Sequence, residues 1–213
     1  MKIDNVMTVK QLYDKLKSEE FLDLHSGSVA YNYFIFPYPA NQEYEIRDQI
    51  VEFKKNLIRP NTFADVLCIN LYEEFCEFLK SKEMDDKPLL DFLMEQEEED
   101  PDMASTVTDY LMNIVTDTTD DGFLAHIARK INEHVAIVDD KIRPYIFVHG
   151  IGSIYPYLRV NQFLSIFEDF NSPDKYKIIV FYPGHADGNY FKLFDELADK
   201  HSYRAVKLIT NLQ

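Results

Sequence analysis

The residues best suited by type and spacing to do chemistry lie in two short segments. These are R-P-Y-I-F-V-H-G-I-G-S-I-Y-P (Arg143 to Pro156) and I-I-V-F-Y-P-G-H-A-D-G (Ile178 to Gly188), which together hold four of the six glycines. In each, an apolar run too short for a helix gives way to glycine, proline and polar residues, the pattern of a buried strand that delivers a loop at its C-terminal end. That end is where an open α/β sheet keeps its ligand site. The candidate ligand or partner site is therefore His149, Gly150, Gly152, Ser153, Tyr155 and Arg159 from the first segment, with Gly184, His185, Asp187 and Gly188 from the second.

Several chemistries are open to these residues. A strand, glycines and a helix start aim backbone N–H groups at an anion, so His149-Gly150-Ile151-Gly152-Ser153 has the parts of a phosphate loop. No G-K-[ST] follows and the third glycine of a dinucleotide fingerprint is missing, which leaves a tight turn or a protein-binding loop as the alternative. His-Gly-x-Gly after a strand also resembles an oxyanion-hole loop, with Ser153 or Ser165 as nucleophile and His185 and Asp187 beside it; the G-x-S-x-G elbow is absent. His149, His185 and Asp187 would converge on a metal if the two loops were neighbours, although no H-E-x-x-H pair supports one. His126 and His134 read as surface residues of one helix. The pattern assigns no catalytic residue, no metal and no cofactor. Tyr155, Tyr157, Tyr182 and Arg159 are residue types that anchor partner surfaces, and equally types that pack beneath loops.

The elements that must position these residues alternate. Thr8 and Gln11 have capping-box spacing ahead of the stripe Val9, Leu12, Tyr13 and Leu16, a first helix. Tyr31 to Phe36 reads as a strand, and Ile46, Ile50, Phe53 and Leu57 mark a second helix, with Glu43 placed to pair with Arg47. Phe63 to Leu71 is a strand buried on both faces, followed at once by a helix through Tyr72, Phe75, Cys76 and Leu79. Residues 80–121 form an acidic helical insertion of two helices around E-Q-E-E-E-D-P-D (Glu95 to Asp102), a solvated helix end and turn or a mobile loop. Thr119-Asp120-Asp121 caps the next helix, after which come the strand Pro144 to Val148, a helix from near Pro156, the strand Ile178 to Tyr182, a helix from Tyr190 to Ala198 and a last strand, Ala205 to Ile209. Five strands separated by helices imply a single α/β domain over residues 1–213. Its sheet is mostly parallel with helices on both faces, a Rossmann-like or degenerate P-loop-like three-layer sandwich.

Composition bounds the partners. A formal charge of −15 and an isoelectric point near 4.7 disfavour direct nucleic-acid binding, since a polyanion meets net repulsion before any local contact forms. No apolar run approaches a membrane span, and the start carries no export signal. Cys68 and Cys76 have neither C-x-x-C spacing nor a second pair, so they read as reduced, structural thiols of a cytoplasmic protein.

The ordered set Y-I-F-V-H-G-I-G-S-I-Y-P-Y-L-R (Tyr145 to Arg159), V-F-Y-P-G-H-A-D-G (Val180 to Gly188), F-K-L-F (Phe191 to Phe194) and Y-R-A-V-K-L (Tyr203 to Leu208) resembles the BrxB proteins of BREX bacteriophage-exclusion systems. F-I-F-P-Y (Phe34 to Tyr38) and E-I-R (Glu45 to Arg47) look like the opening strand and helix of that family, and Ala186 departs from the aromatic often found before its D-G. The resemblance implies a small cytoplasmic component of an antiviral defence cluster. It would be a non-catalytic adapter beside a PglZ-type protein, a DNA methyltransferase and a large ATPase. The alternative is a nucleotide- or phosphate-binding enzyme using the two glycine loops. The family brings no catalytic residues to carry over.

Overall fold

The computed structural model describes residues 7–22, 32–57, 64–139, 141–187, 190–199 and 206–207. The strands are β1 (Tyr33–Tyr38), β2 (Val66–Asn70), β3 (Glu83–Met84), β4 (Lys87–Pro88), β5 (Tyr145–His149), β6 (Lys177–Asp187), β7 (Tyr190–Leu193), β8 (Leu197–Asp199) and β9 (Val206–Lys207). The helices are α1 (Val9–Leu16), α2 (Glu19–Leu22), α3 (Glu43–Leu57), α4 (Leu71–Lys80), α5 (Leu89–Glu99), α6 (Ala104–Thr116), α7 (Phe123–Val135) and α8 (Val160–Phe167). None of the described helices is long and apolar enough to cross a membrane.

The main sheet runs β2-β5-β6-β1-β9, and each neighbouring pair is parallel. Counted along the chain, the first of the five parallel strands therefore lies between the fourth and the fifth. A Rossmann sheet places its first strand beside the second. The order found here is that of P-loop sheets, yet the turn after β1 reads P-Y-P-A-N-Q-E (Pro37 to Glu43), with neither glycine nor lysine.

Both faces of the sheet are covered because strand residues alternate between two apolar clusters. Phe36, Tyr38, Val66, Tyr145, Phe147, Ile179 and Phe181 face α1 and α3, where Leu12, Leu16, Ile46, Ile50, Phe53 and Leu57 meet them. Ile35, Ile69, Ile146, Val148, Ile178, Val180 and Tyr182 face the other way, toward α4 to α8. Phe147 lies at the centre of the first layer, with the rings of Phe53 at 5.8 Å and Phe181 at 5.3 Å. Across the sheet, Asn32 and Asn171 exchange two side-chain amide hydrogen bonds of 2.8 Å, which tie the chain entering β1 to the turn before β6.

The local signals act as physics requires in several places. Thr8 caps α1 reciprocally with Gln11. Asn70 caps α4 by accepting from the Tyr72 N–H at 3.2 Å, so β2 passes into helix without a loop. In the acidic middle, Asp85 and Asp86 take positive φ of 51° and 61° and close the small β3–β4 hairpin, as a two-residue turn demands. The charged run ends α5 in solvent, and Leu89, Leu93, Val107, Leu111 and Val115 on the inner sides of α5 and α6 join the core.

Four expectations are corrected. The segment after Tyr182 is a continuation of β6 to Asp187, paired antiparallel with β7, and not a loop. The helix expected from Tyr190 to Ala198 is the β7–β8 hairpin: Phe191 and Leu193 are buried with Lys192 between them less so, a period of two that the spacing of Phe191, Phe194 and Leu197 disguises. The helix after the first glycine segment starts at Val160, following a run of turns with a cis Tyr155–Pro156 bond. Gly122, rather than the Thr119-Asp120-Asp121 run, is the N-cap of α7, while Thr119 folds back on Asp117.

Candidate functional site

Gly150 follows the last residue of β5 with φ +79°, and a Cβ there would stand 2.4 Å from Asn70 Oδ1. The first glycine therefore admits the side chain that caps α4. Gly152 lies under the ring of Phe194, whose Cζ is 2.6 Å from the place of a Cβ. Gly184, at φ +150°, sits against the Lys192 carbonyl oxygen across the β6–β7 pair, 2.0 Å from where a Cβ would be. All three glycines are thus closely approached by other parts of the protein, and the N–H groups of Ser153 and Ile154 donate to the Gly150 carbonyl, at 3.1 and 3.2 Å, instead of facing an open cradle.

The two segments do meet, through the hairpin. Phe194 N–H donates to the Pro183 carbonyl at 2.8 Å and places the turn Phe194-Asp195-Glu196 over the first segment. Phe194 and Asp195 take φ of 54° and 65°, a left-handed conformation that costs a bulky residue energy and is held by this contact. Ile151, Tyr155 and Arg159 on one side and Tyr182, Leu193 and Leu197 on the other enclose a void of about 20 Å³. That is room for about one water and far below a ligand pocket of several hundred Å³.

What this junction offers is an outer surface. Ser153 and Arg159 are exposed, Tyr155 and Tyr157 half-buried, and the Arg159 guanidinium lies 5.5 Å from the centre of the Tyr155 ring. Phe194 and Leu197 expose 39% and 38% of their surface, large values for apolar side chains. Tyr157 packs on Phe75 of α4, and Tyr72 in the first turn of the same helix is 50% exposed. Tyr182 does not share this surface; it is in the core against Phe191, 5.4 Å between ring centres.

The histidines do not converge. His185 is half-exposed, and its Nδ1 lies 2.7 Å from Asp195 Oδ1, a partner that the sequence did not suggest because it comes from the far side of a hairpin. His149 alternates with Val148 and so follows Tyr145 and Phe147 onto the α3 side of the sheet. Its Nδ1 is buried without a hydrogen-bond partner among the described residues. Burial, with the Arg47 charge second, lowers its pKa to about 4, so the ring is neutral near pH 7. No group of three His, Cys, Asp or Glu that could hold a metal occurs among the described residues. Asp187 ends β6, and Gly188 lies outside the described residues. His126 and His134 are half-buried rather than free surface residues. His126 lies 3.7 Å from Glu74 of α4, and His134 pairs with Asp65 before β2.

Glu43 is not paired with Arg47; its Oε2 accepts a hydrogen bond from the Tyr38 hydroxyl at the end of β1. Burial first, then Glu43, raises the Tyr38 pKa, so the phenol stays protonated as the donor. Arg47 is half-buried and has no ion pair among the described residues, while its charge acts on both Tyr38 and His149.

Fold and site together define a parallel α/β protein with the P-loop strand order, no P-loop, and an aromatic surface at the C-terminal edge of its sheet. The chain belongs to the BrxB family: the family model described as "BREX protein BrxB" matches residues 67–208. It is similar to the BREX protein BrxB of Bacillus cereus (strain H3081.97), 25% identical over 201 residues that cover 93% of this chain and 94% of the relative. It is also similar to the BREX protein BrxB of Escherichia coli O9:H4 (strain HS), 21% identical over 211 residues, 97% of this chain and 94% of the relative. No solved structure matches it.

Proposed function

We propose that this protein is a component of a BREX-type phage-defence system that acts as a non-catalytic adapter. It presents the surface of Tyr155, Arg159, Phe194 and Leu197 to a partner protein, the first candidate being the PglZ-type protein of its own cluster. The defence role follows from the family. The observation that carries the adapter reading is the placement of Phe194. An aromatic side chain is held in a left-handed backbone conformation, over a glycine, with over a third of its surface in solvent. Packing over Gly152 leaves much of the ring uncovered, and a partner surface uses an exposed aromatic beside a tyrosine-stacked arginine as an anchor. The glycine segments are filled by Asn70 and Phe194, which disfavours the alternative of a nucleotide held between them.

Co-expression of the chain with the PglZ-type protein tests this reading. The complex should survive purification in salt that screens exposed charges. It should weaken at least tenfold in a Phe194→Ser, Arg159→Ala double variant, a loss of roughly 1.4 kcal/mol or more. A complex of undiminished affinity in the folded double variant would move the interface elsewhere.

A further inference from the structure

We infer that Arg47 and His149 form a binding site for a phosphoryl group, free or on a small molecule, with the Tyr38–Glu43 pair leaving Arg47 open to it. The site lies at the C-terminal end of the sheet on the α3 side, opposite the glycine segments. Three observations carry this. First, the place fits. β1 passes to α3 on one face, while the connections after β2 and β5 and the inner residues of the β7 hairpin lie on the other. Strands with departures on opposite faces meet between β1 and β6, where open α/β sheets bind ligands.

Second, the site has donors without acceptors. Arg47 is half-buried and unpaired among the described residues, and the carboxylate one turn before it is occupied by the Tyr38 hydroxyl. His149 keeps Nδ1 buried and unbonded at the end of β5. An unpaired arginine whose charge reaches an imidazole with an unsatisfied nitrogen is suited to an oxyanion with at least two acceptor oxygens. The ring is neutral near pH 7, so it can offer one N–H without adding a second charge.

Third, the neighbours are arranged to leave Arg47 open. Glu43 is its natural intrahelical partner at i,i+4, and Tyr38 holds that carboxylate from the strand. Phosphate suits the arrangement better than a carboxylate, because when the guanidinium fork takes two oxygens it still has a third for the imidazole N–H, which a carboxylate lacks.

The test follows the His149 ring by NMR while inorganic phosphate, AMP or acetate is added at constant ionic strength. Saturable shifts with phosphate or AMP, a rise in the His149 pKa, and at least tenfold weaker binding in Arg47→Gln support the site. Tighter binding of AMP than of phosphate assigns it to a phosphomonoester, and equal binding assigns it to the free ion. Shifts that do not saturate, acetate binding as tightly as phosphate, or an unchanged response in Arg47→Gln would overturn it. If Arg47→Gln does not fold, Arg47→Lys keeps the charge and removes the fork. Phosphate affinity equal to that of the parent protein in this variant would also contradict the assignment.

Discussion

The ring of Phe194 fills the space that a side chain on Gly152 would take, with Cζ 2.6 Å and Cε1 2.8 Å from the position of a Cβ. This one contact joins the turn after β7 to the segment after β5, and through it the two parts of the sequence richest in glycine become one surface. The Phe194 N–H bond to Pro183 fixes the same turn from below.

Gly152→Ala should therefore destabilise the fold by about 1 kcal/mol, because the methyl must push the Phe194 ring off this segment toward solvent and its packing is lost. Phe194→Ala should remove that penalty, so that the double variant is more stable than the sum of the single changes requires. Urea unfolding of the four proteins checks this coupling.

Gly150→Ala should be more costly, about 2 kcal/mol or more, since it combines φ +79° with an approach of 2.4 Å to Asn70 Oδ1. Asn70→Ala alone should cost about 1 kcal/mol by removing the cap of α4. Combining the two should relieve the clash and leave the backbone strain, a partial rescue measurable by thermal unfolding.

The buried His149 should make stability depend on pH. Its folded pKa of about 4 lies below the ordinary value of 6.5, so between these pH values the unfolded chain binds more protons than the folded one. The contribution is fully present above about pH 6.5 and is lost as pH falls toward 4, on the order of 3 kcal/mol in total. His126, also lowered chiefly by burial, acts in the same direction. His149→Gln should flatten the dependence of the urea midpoint on pH across this window.

Tyr38→Phe should lower phosphate affinity roughly 3- to 10-fold if Tyr38 keeps Glu43 away from Arg47, because the freed carboxylate then competes for the guanidinium. The same titration of the His149 ring checks it; affinity at or above that of the parent protein would show that Glu43 does not compete.

The sheet was largely legible because parallel strands buried on both faces are continuous apolar runs, as V-L-C-I-N at Val66–Asn70 and Y-I-F-V at Tyr145–Val148 are. The hairpin was not. Tyr190 to Asp199 is too short for a period of two to stand out against Phe191, Phe194 and Leu197, which also fit a helix. Gly184 suggested a loop where it marks a close backbone approach inside a strand pair. The candidate residues of the first segment were found from the strand–glycine pattern, but the side of the sheet each faces was not, since His149 and Tyr155 diverge only once strand alternation and α3 are placed. Arg47 escaped notice as a site residue because its i,i+4 partner Glu43 explained it locally, and only the fold brings Tyr38 to claim that partner.

The most direct test of the adapter surface is hydrogen exchange of this protein alone and in complex with the PglZ-type protein of its cluster. Protection should appear on complex formation in residues 151–159 and 190–197 and in the first turn of α4, with α3, α5 and α6 unchanged. Protection confined to α5 and α6 or to the α1–α3 side, with residues 151–159 and 190–197 exchanging as in the free protein, would contradict it.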